Sequence, residues 1–134
     1  MLKDFVAQLC VELEIDPVPK MNEHKFIPFR FSDQLDLEIR DLDPGISLHA
    51  KICPCPSKRL EELFLRLMRA NYLGQETAQN RIGLSADEKF LTLSLGMPYE
   101  ISYRIFREIF EDFVNFILFW RSEIDKFIKQ ENLL

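Results

Sequence analysis

Leu35-Asp36-Leu37-Glu38-Ile39-Arg40, then Asp43-Pro44-Gly45, then Ile46-Ser47-Leu48-His49-Ala50-Lys51-Ile52: the fold turns on this stretch. Apolar residues fall on every second position, the period of a strand with one oily and one wet face. Asp-Pro-Gly between them is a strong turn signal. Two half-exposed strands joined by a tight turn pair antiparallel. Just upstream, Phe26, Ile27, Phe29 and Phe31 are strand formers. Pro28 among them offers no backbone donor, which places this strand at an edge or a bulge.

Outward from this meander the period changes. Leu2, Phe5, Val6, Leu9 and Leu13, with Cys10 beside them, form one helical stripe, stopped by Asp16-Pro17-Val18-Pro19. Residues 16–25 read as a loop. On the other side Cys53-Pro54-Cys55-Pro56 is expected to break the sheet, and Ser57 to cap a second helix. No capping box accompanies Ser57, because its third following residue is Leu60, and Lys58 and Arg59 oppose the helix dipole. The stripe Leu60, Leu63, Phe64, Leu67, Met68 and Asn71 is clear, with Leu65 and Tyr72 off it and Gly74 as a stop. Residues 81–84 are strand-like and Ser85-Ala86-Asp87-Glu88 is a hairpin turn. Leu91, Leu93 and Leu95 alternate with Phe90, Thr92 and Ser94 until Gly96-Met97-Pro98. A last helix is expected over 99–130. Ile105, Ile109, Phe113, Phe116, Trp120, Ile124 and Phe127 form its stripe, flanked by Phe106, Phe110, Ile117 and Ile128 and widened by Leu118 and Phe119. The order αβββαββα argues for an α+β fold: an antiparallel sheet of about five strands with three helices, one domain over residues 1–134.

Composition narrows the function classes. The chain has 134 residues, 47% hydrophobic and 29% charged, as in a globular protein. Its 12 phenylalanines exceed what one small core is expected to hide and hint at a partner. A formal net charge of -5 leaves no basic stripe for nucleic acid or for an anionic membrane. Three cysteines, Cys10, Cys53 and Cys55, fit a reducing cytosol. The N-terminus lacks the apolar run and cleavage site of a signal peptide. The oiliest stretch, 113–120, is far short of the about 20 apolar residues a spanning helix needs.

Chemistry-bearing patterns are weak. His49, Cys53 and Cys55 are close in sequence but lack the paired Cys-x-x-Cys spacing of a zinc ribbon. As a Cys/His nucleophile pair they lack an orienting Asn or Asp. His24 is a loop residue. Asp36, Glu38, Asp41 and Asp43 read as a solvated strand face and turn, and no glycine-rich phosphate loop exists. Hence no catalytic residue, metal, cofactor or small-molecule substrate is expected, and the chain reads as a binding protein, not an enzyme.

Leu63-Phe64-Leu65-Arg66-Leu67-Met68-Arg69-Ala70-Asn71-Tyr72 resembles the LxxLLxAN helix of class I type III secretion chaperones, the Tir chaperone or CesT-like family. That family continues with a Thr, an xxLGL strand, an acidic turn, an LxLxxxLP strand and a helix ending near FxxxAxxWR. Here these are Thr77, Arg81-Ile82-Gly83-Leu84, Asp87-Glu88, Leu91-Thr92-Leu93-Ser94-Leu95-Gly96-Met97-Pro98, and Phe116 with Trp120-Arg121. The likeness spans nearly the whole chain, in pattern rather than motif over the N-terminal half. It departs at Pro28, at Cys-Pro-Cys-Pro, and at Phe119 where the family often has a small residue.

The resemblance implies a bacterial cytosolic chaperone that works without ATP. It would hold the N-terminal chaperone-binding segment of a secreted effector or gatekeeper protein in a non-globular, secretion-competent state. It would form a homodimer or a heterodimer with a related chaperone. Physics agrees: each ordered partner residue costs about 1–2 kcal/mol of backbone entropy, and exposed ion pairs return about 0–1 kcal/mol each. Broad apolar grooves and an exposed strand edge are therefore expected. By family analogy Phe5, Leu9, Phe29, Phe31, Leu37 and Ile39 are candidates for the substrate patch. Leu60, Leu63, Phe64, Leu67 and Met68, with Ile82 and Leu84, are candidates for the dimer interface. For both sets the plain alternative is intrachain core. The rival function is a regulator contacting transcription or signalling proteins through the same apolar faces.

Overall fold

The computed structural model describes residues 2–42, 45–73, 80–98 and 100–131. Alternation becomes five strands: β1 (Phe26–Ser32), β2 (Leu35–Asp41), β3 (Ile46–Pro54), β4 (Arg81–Leu84) and β5 (Phe90–Met97). They form one sheet in the order β1-β2-β3-β5-β4, every neighbouring pair antiparallel. The 3.6-period segments become α1 (Leu2–Leu13), α2 (Leu60–Leu73) and α3 (Tyr103–Glu131). The architecture is the expected α+β one.

The oily face of the sheet and the buried sides of the three helices make one core. Phe29 of β1 meets Phe110 of α3 edge-on at 5.3 Å, and Phe5 of α1 lies 5.3 Å from Phe106. The other face of the sheet stays accessible: Arg30, Asp36, Lys51 and Arg81 are exposed there, and Glu38, Arg40, Ser47 and His49 half-buried. Arg121 clasps α3 to the end of the sheet. Its guanidinium donates to the carbonyl oxygens of Ile52 at 2.5 Å, Gln34 at 2.8 Å and Lys51 at 3.3 Å.

Several local expectations need correction. The buried line of α3 is Phe106, Phe110, Phe113, Ile117, Trp120 and Ile124, while Ile105 is exposed and Ile109 and Phe116 are half-buried. The apolar arc is so wide that periodicity alone does not locate its centre. α3 starts later than expected, with Ser102 as cap: its hydroxyl accepts the Ile105 N–H at 3.3 Å. Cys53-Pro54 does not break the sheet. β3 absorbs it through a register shift between Lys51 and Cys53, and pairing reaches Pro54. Ser57 is not the cap of α2; Arg59 occupies that position, its carbonyl accepting the Leu63 N–H at 3.0 Å. The shift puts Glu61 and Glu62 in the first turn, where they suit the dipole. Gly45, at φ 105, takes a conformation that favours glycine, and a Cβ there would approach Met97 O to 3.1 Å. The expected Asp43-Pro44 turn, the side chain of Tyr72, the Gly74 stop, Thr77 and Tyr99 lie outside the described residues.

Candidate functional site

The residues expected to form a substrate patch fall in two places. Phe5, Leu9, Phe29, Leu37 and Ile39 are between 0% and 8% exposed and belong to the core. The alternation that reveals a sheet also sends these side chains to the face the helices cover, so they present no area to a partner in this conformation. Phe31 is half-buried at the margin of the same aromatic cluster, 6.2 Å from Phe110.

The phenylalanines as a group locate the surplus apolar surface. Phe5, Phe29, Phe106, Phe110 and Phe113 are buried. Three half-buried rings lie under cations: Phe26 beneath Arg40 at 5.0 Å, Phe90 beneath Lys51 at 4.1 Å, and Phe127 beneath Arg59 at 4.2 Å. That leaves Phe31, Phe64 and Phe116, half-buried, and Phe119, which is 47% exposed. A core of this size therefore hides more phenylalanine than composition suggests, and the remainder is confined to particular sites.

One site is the outer flank of α2 with β4. Of the expected interface residues, Leu63, Leu67 and Ile82 are buried within the chain, Leu60 and Phe64 are half-buried, and Met68 and Leu84 are exposed. Met68 is 66% exposed, and Leu65, which the stripe excluded, is 51% exposed. Asn71 ties the flank together. Its carboxamide donates to Ile82 O at 2.7 Å and accepts from Ile82 N at 2.9 Å, holding α2 against β4.

A second site is the outer side of α3. Asp112, Asn115, Phe116 and Phe119 bound a shallow hollow of about 310 Å³, and Leu118 is exposed nearby. Phe119 stands edge-on to Trp120 at 5.4 Å, so the buried indole fixes the exposed ring. The width of the apolar arc is the sequence signal for this site.

Both sheet edges are partly closed, contrary to the open edge expected. On β1, Asn22 occupies Phe26 as a strand would: its side chain accepts the Phe26 N–H at 3.2 Å and its N–H donates to Phe26 O at 2.9 Å. Two residues on, by strand alternation, Pro28 has no outward N–H to offer. On β4 the Asn71 carboxamide takes the outward groups of Ile82. Such edge blocks suppress indiscriminate strand pairing. Among the described residues, an added strand would find unblocked backbone groups toward the Arg30 end of β1.

Among the described residues the titratable groups stand singly or in small surface groups. Burial pushes the Cys53 thiol up to about 11 and raises Cys10 and Cys55 as well, which makes all three poor nucleophiles at neutral pH. His49 Nδ1 lies 4.0 Å from Glu38, which also faces Arg40 at 3.6 Å, and Asp36 pairs with Arg30 at 3.1 Å. Among the described residues no cluster of three His, Cys, Asp or Glu could hold a metal ion, and no helix is long and apolar enough to cross a membrane.

No protein-family model matches the sequence, and no curated protein sequence matches it significantly. Solved structures do. A chain of the ExsC–ExsE complex superposes with a TM-score of 0.77 at 13% identity, covering 90% of this chain and 91% of that one. A chain of the complex of the Yersinia pestis type III secretion chaperone SycH with a stable fragment of YscM2 gives 0.66 at 10% identity, covering 88% and 98%. YbjN of E. coli, a candidate transcription regulator, gives 0.62 at 17% identity, covering 92% and 90%. At these identities the likeness is one of fold.

Proposed function

We propose that this protein is a type III secretion chaperone, acting in the bacterial cytosol without ATP. It binds the N-terminal chaperone-binding segment of a secreted effector or gatekeeper protein and keeps it non-globular. The observation that carries this reading is a pair of exposed apolar clusters beside a complete core, Leu65, Met68 and Leu84 on the α2–β4 flank and Leu118 and Phe119 on the outer side of α3. A dimeric holder of an extended chain needs two: one for its partner subunit and one for its cargo. We assign Leu60, Phe64, Leu65, Met68 and Leu84 to the contact with a second copy or a related chaperone. Phe116 and Phe119 go to the cargo, together with Phe31 at the margin of the aromatic cluster, while Phe5, Leu9, Phe29, Leu37 and Ile39 are assigned to the core.

The test is co-expression with the N-terminal segments of the secreted proteins of its host, followed by limited proteolysis. One segment is expected to co-purify and to be protected over a stretch that is cleaved when alone. Failure of every such segment to bind overturns the reading. The likeness in fold to YbjN favours a second reading, a regulator that contacts transcription proteins through the same faces. A reporter assay in cells lacking the secretion system separates the two: a pure chaperone leaves the reporter unchanged, and a regulator shifts it.

A further inference from the structure

The open face of the sheet carries charge of the opposite sign to the chain. Two adjoining hollows of about 530 and 570 Å³ lie on it, meeting at Glu38 and His49. Arg30, Lys51 and Arg121 line the first, and Arg40 and Arg81 the second. Against these five cations stand Asp36 and Glu38 in the lining and Asp87 nearby, its acidity strengthened first by the Ser85 hydroxyl and the Lys89 N–H and to a lesser degree by Lys51. The face is thus net positive on a chain of formal charge -5. The Glu38 carboxylate is shared between Arg40 and His49, and among the described residues neither Lys51 nor Arg81 makes an ion pair.

Register gives the pattern its spacing. Arg40 lies opposite Ser47 and Arg30 opposite Asp36, so Lys51 and Arg30 sit about four residues along the strands from Arg40, roughly 13 Å. Phe26 and Pro28 at one rim and Leu84 and Ala86 at the other offer apolar contact between the charges.

We propose that this face docks an extended acidic peptide segment whose carboxylates recur about every fourth residue, one reaching Arg40 and the next Lys51 and Arg30, with Arg81, in register with His49, flanking the stretch between them. Nucleic acid fits less well, because Glu38 and Asp36 stand among the cations where a continuous phosphate backbone would run. The surface meets the α2 flank only at Leu84 and does not touch the α3 hollow, and its cations lie outside both, so the charge test below reads this face and not the chaperone reading.

The probe is a fluorescein-labelled Val/Thr peptide with glutamate at every fourth position, titrated by anisotropy into the full chain. Its lysine counterpart and a single-stranded DNA of matched charge serve as comparisons. The glutamate peptide is expected to bind saturably, and more weakly as salt rises. Arg40→Glu with Lys51→Glu is expected to weaken it about tenfold or more. Glu38→Gln is expected to strengthen it about two- to fivefold, a gain that misfolding cannot produce. The proposal is overturned if the glutamate peptide does not saturate, if the lysine peptide or the DNA binds as tightly, or if the charge reversals or Glu38→Gln leave affinity unchanged.

Discussion

Asn71 shows how much one side chain can decide. Its carboxamide presents a donor and an acceptor in the order a neighbouring strand would, and so closes the β4 edge at Ile82. Asn71→Ala leaves both Ile82 backbone groups without those partners, at a cost of about 1–3 kcal/mol. The expected result is a lower urea midpoint, followed by the emission of Trp120, the sole tryptophan, together with a rise in self-association through the reopened edge. An unchanged midpoint would mean that water replaces the carboxamide without loss. The motif containing Asn71 is legible in the sequence, but its task is not, because a side-chain bond to a strand edge leaves no periodic trace. Titration gives a second residue-scale prediction. Burial lifts the Cys53 thiol to about 11 and, with the hydrogen bond to Glu12, the Tyr103 phenol to about 12. The unfolded chain releases these protons first, at its ordinary values near 9 and 10. Stability from these groups is therefore complete below pH 9 and lost as pH rises through 11 and 12. Thermal melts should hold level from pH 7 to 9 and then fall, and Cys53→Val should flatten the first part of that fall.

At the scale of elements, α3 is both the core's central member and its leak. Its buried line was open to misreading because apolar residues occupy nearly the whole circumference. Only the neighbours decide which of them face inward, with Tyr103 and Phe106 against α1, Phe110 against β1, and Trp120 against α2. The strands suffered no such ambiguity, because a period of two leaves one choice of face. The same certainty explains why Phe29, Leu37 and Ile39, legible as strand residues, were poor candidates for an exposed patch. Arg121 holds the far half of α3 to the sheet through three carbonyl oxygens. Arg121→Ala is expected to cost about 1–3 kcal/mol, since charged donors make the stronger hydrogen bonds but this one is partly hydrated. Hydrogen exchange should localise the loosening to the amides near 120–130. Arg121→Lys, a single point donor, should recover only part of the loss.

At the scale of the whole molecule, the α2–β4 flank and the outer side of α3 each gather exposed apolar residues, and their separation into two elements predicts separable defects. Met68 is 66% exposed, so Met68→Glu should shift the monomer's stability by about 0.5 kcal/mol, whereas Phe119→Glu, at a ring 47% exposed and edge-on to Trp120, should cost about 1–2 kcal/mol and still leave a folded chain. The association each supports should respond differently. Covering the open part of Met68 in a symmetric dimer would contribute about 1–2 kcal/mol per protomer. Met68→Glu removes that twice and buries two carboxylates besides. If the chain dimerises through this flank as proposed, the dimer Kd should rise by at least about thirtyfold, and sedimentation at micromolar concentration should find more folded monomer than in the wild type. Phe119→Glu should sediment as the wild type does, yet lose the bound partner segment and its protection from protease. If both substitutions abolish dimerisation, the α3 hollow belongs to the subunit contact and the cargo must lie elsewhere. If neither does, the α2 flank is not where two chains meet. Only the split result, dimer lost with one and cargo with the other, fits a molecule that covers its exposed apolar surface with two different polypeptides.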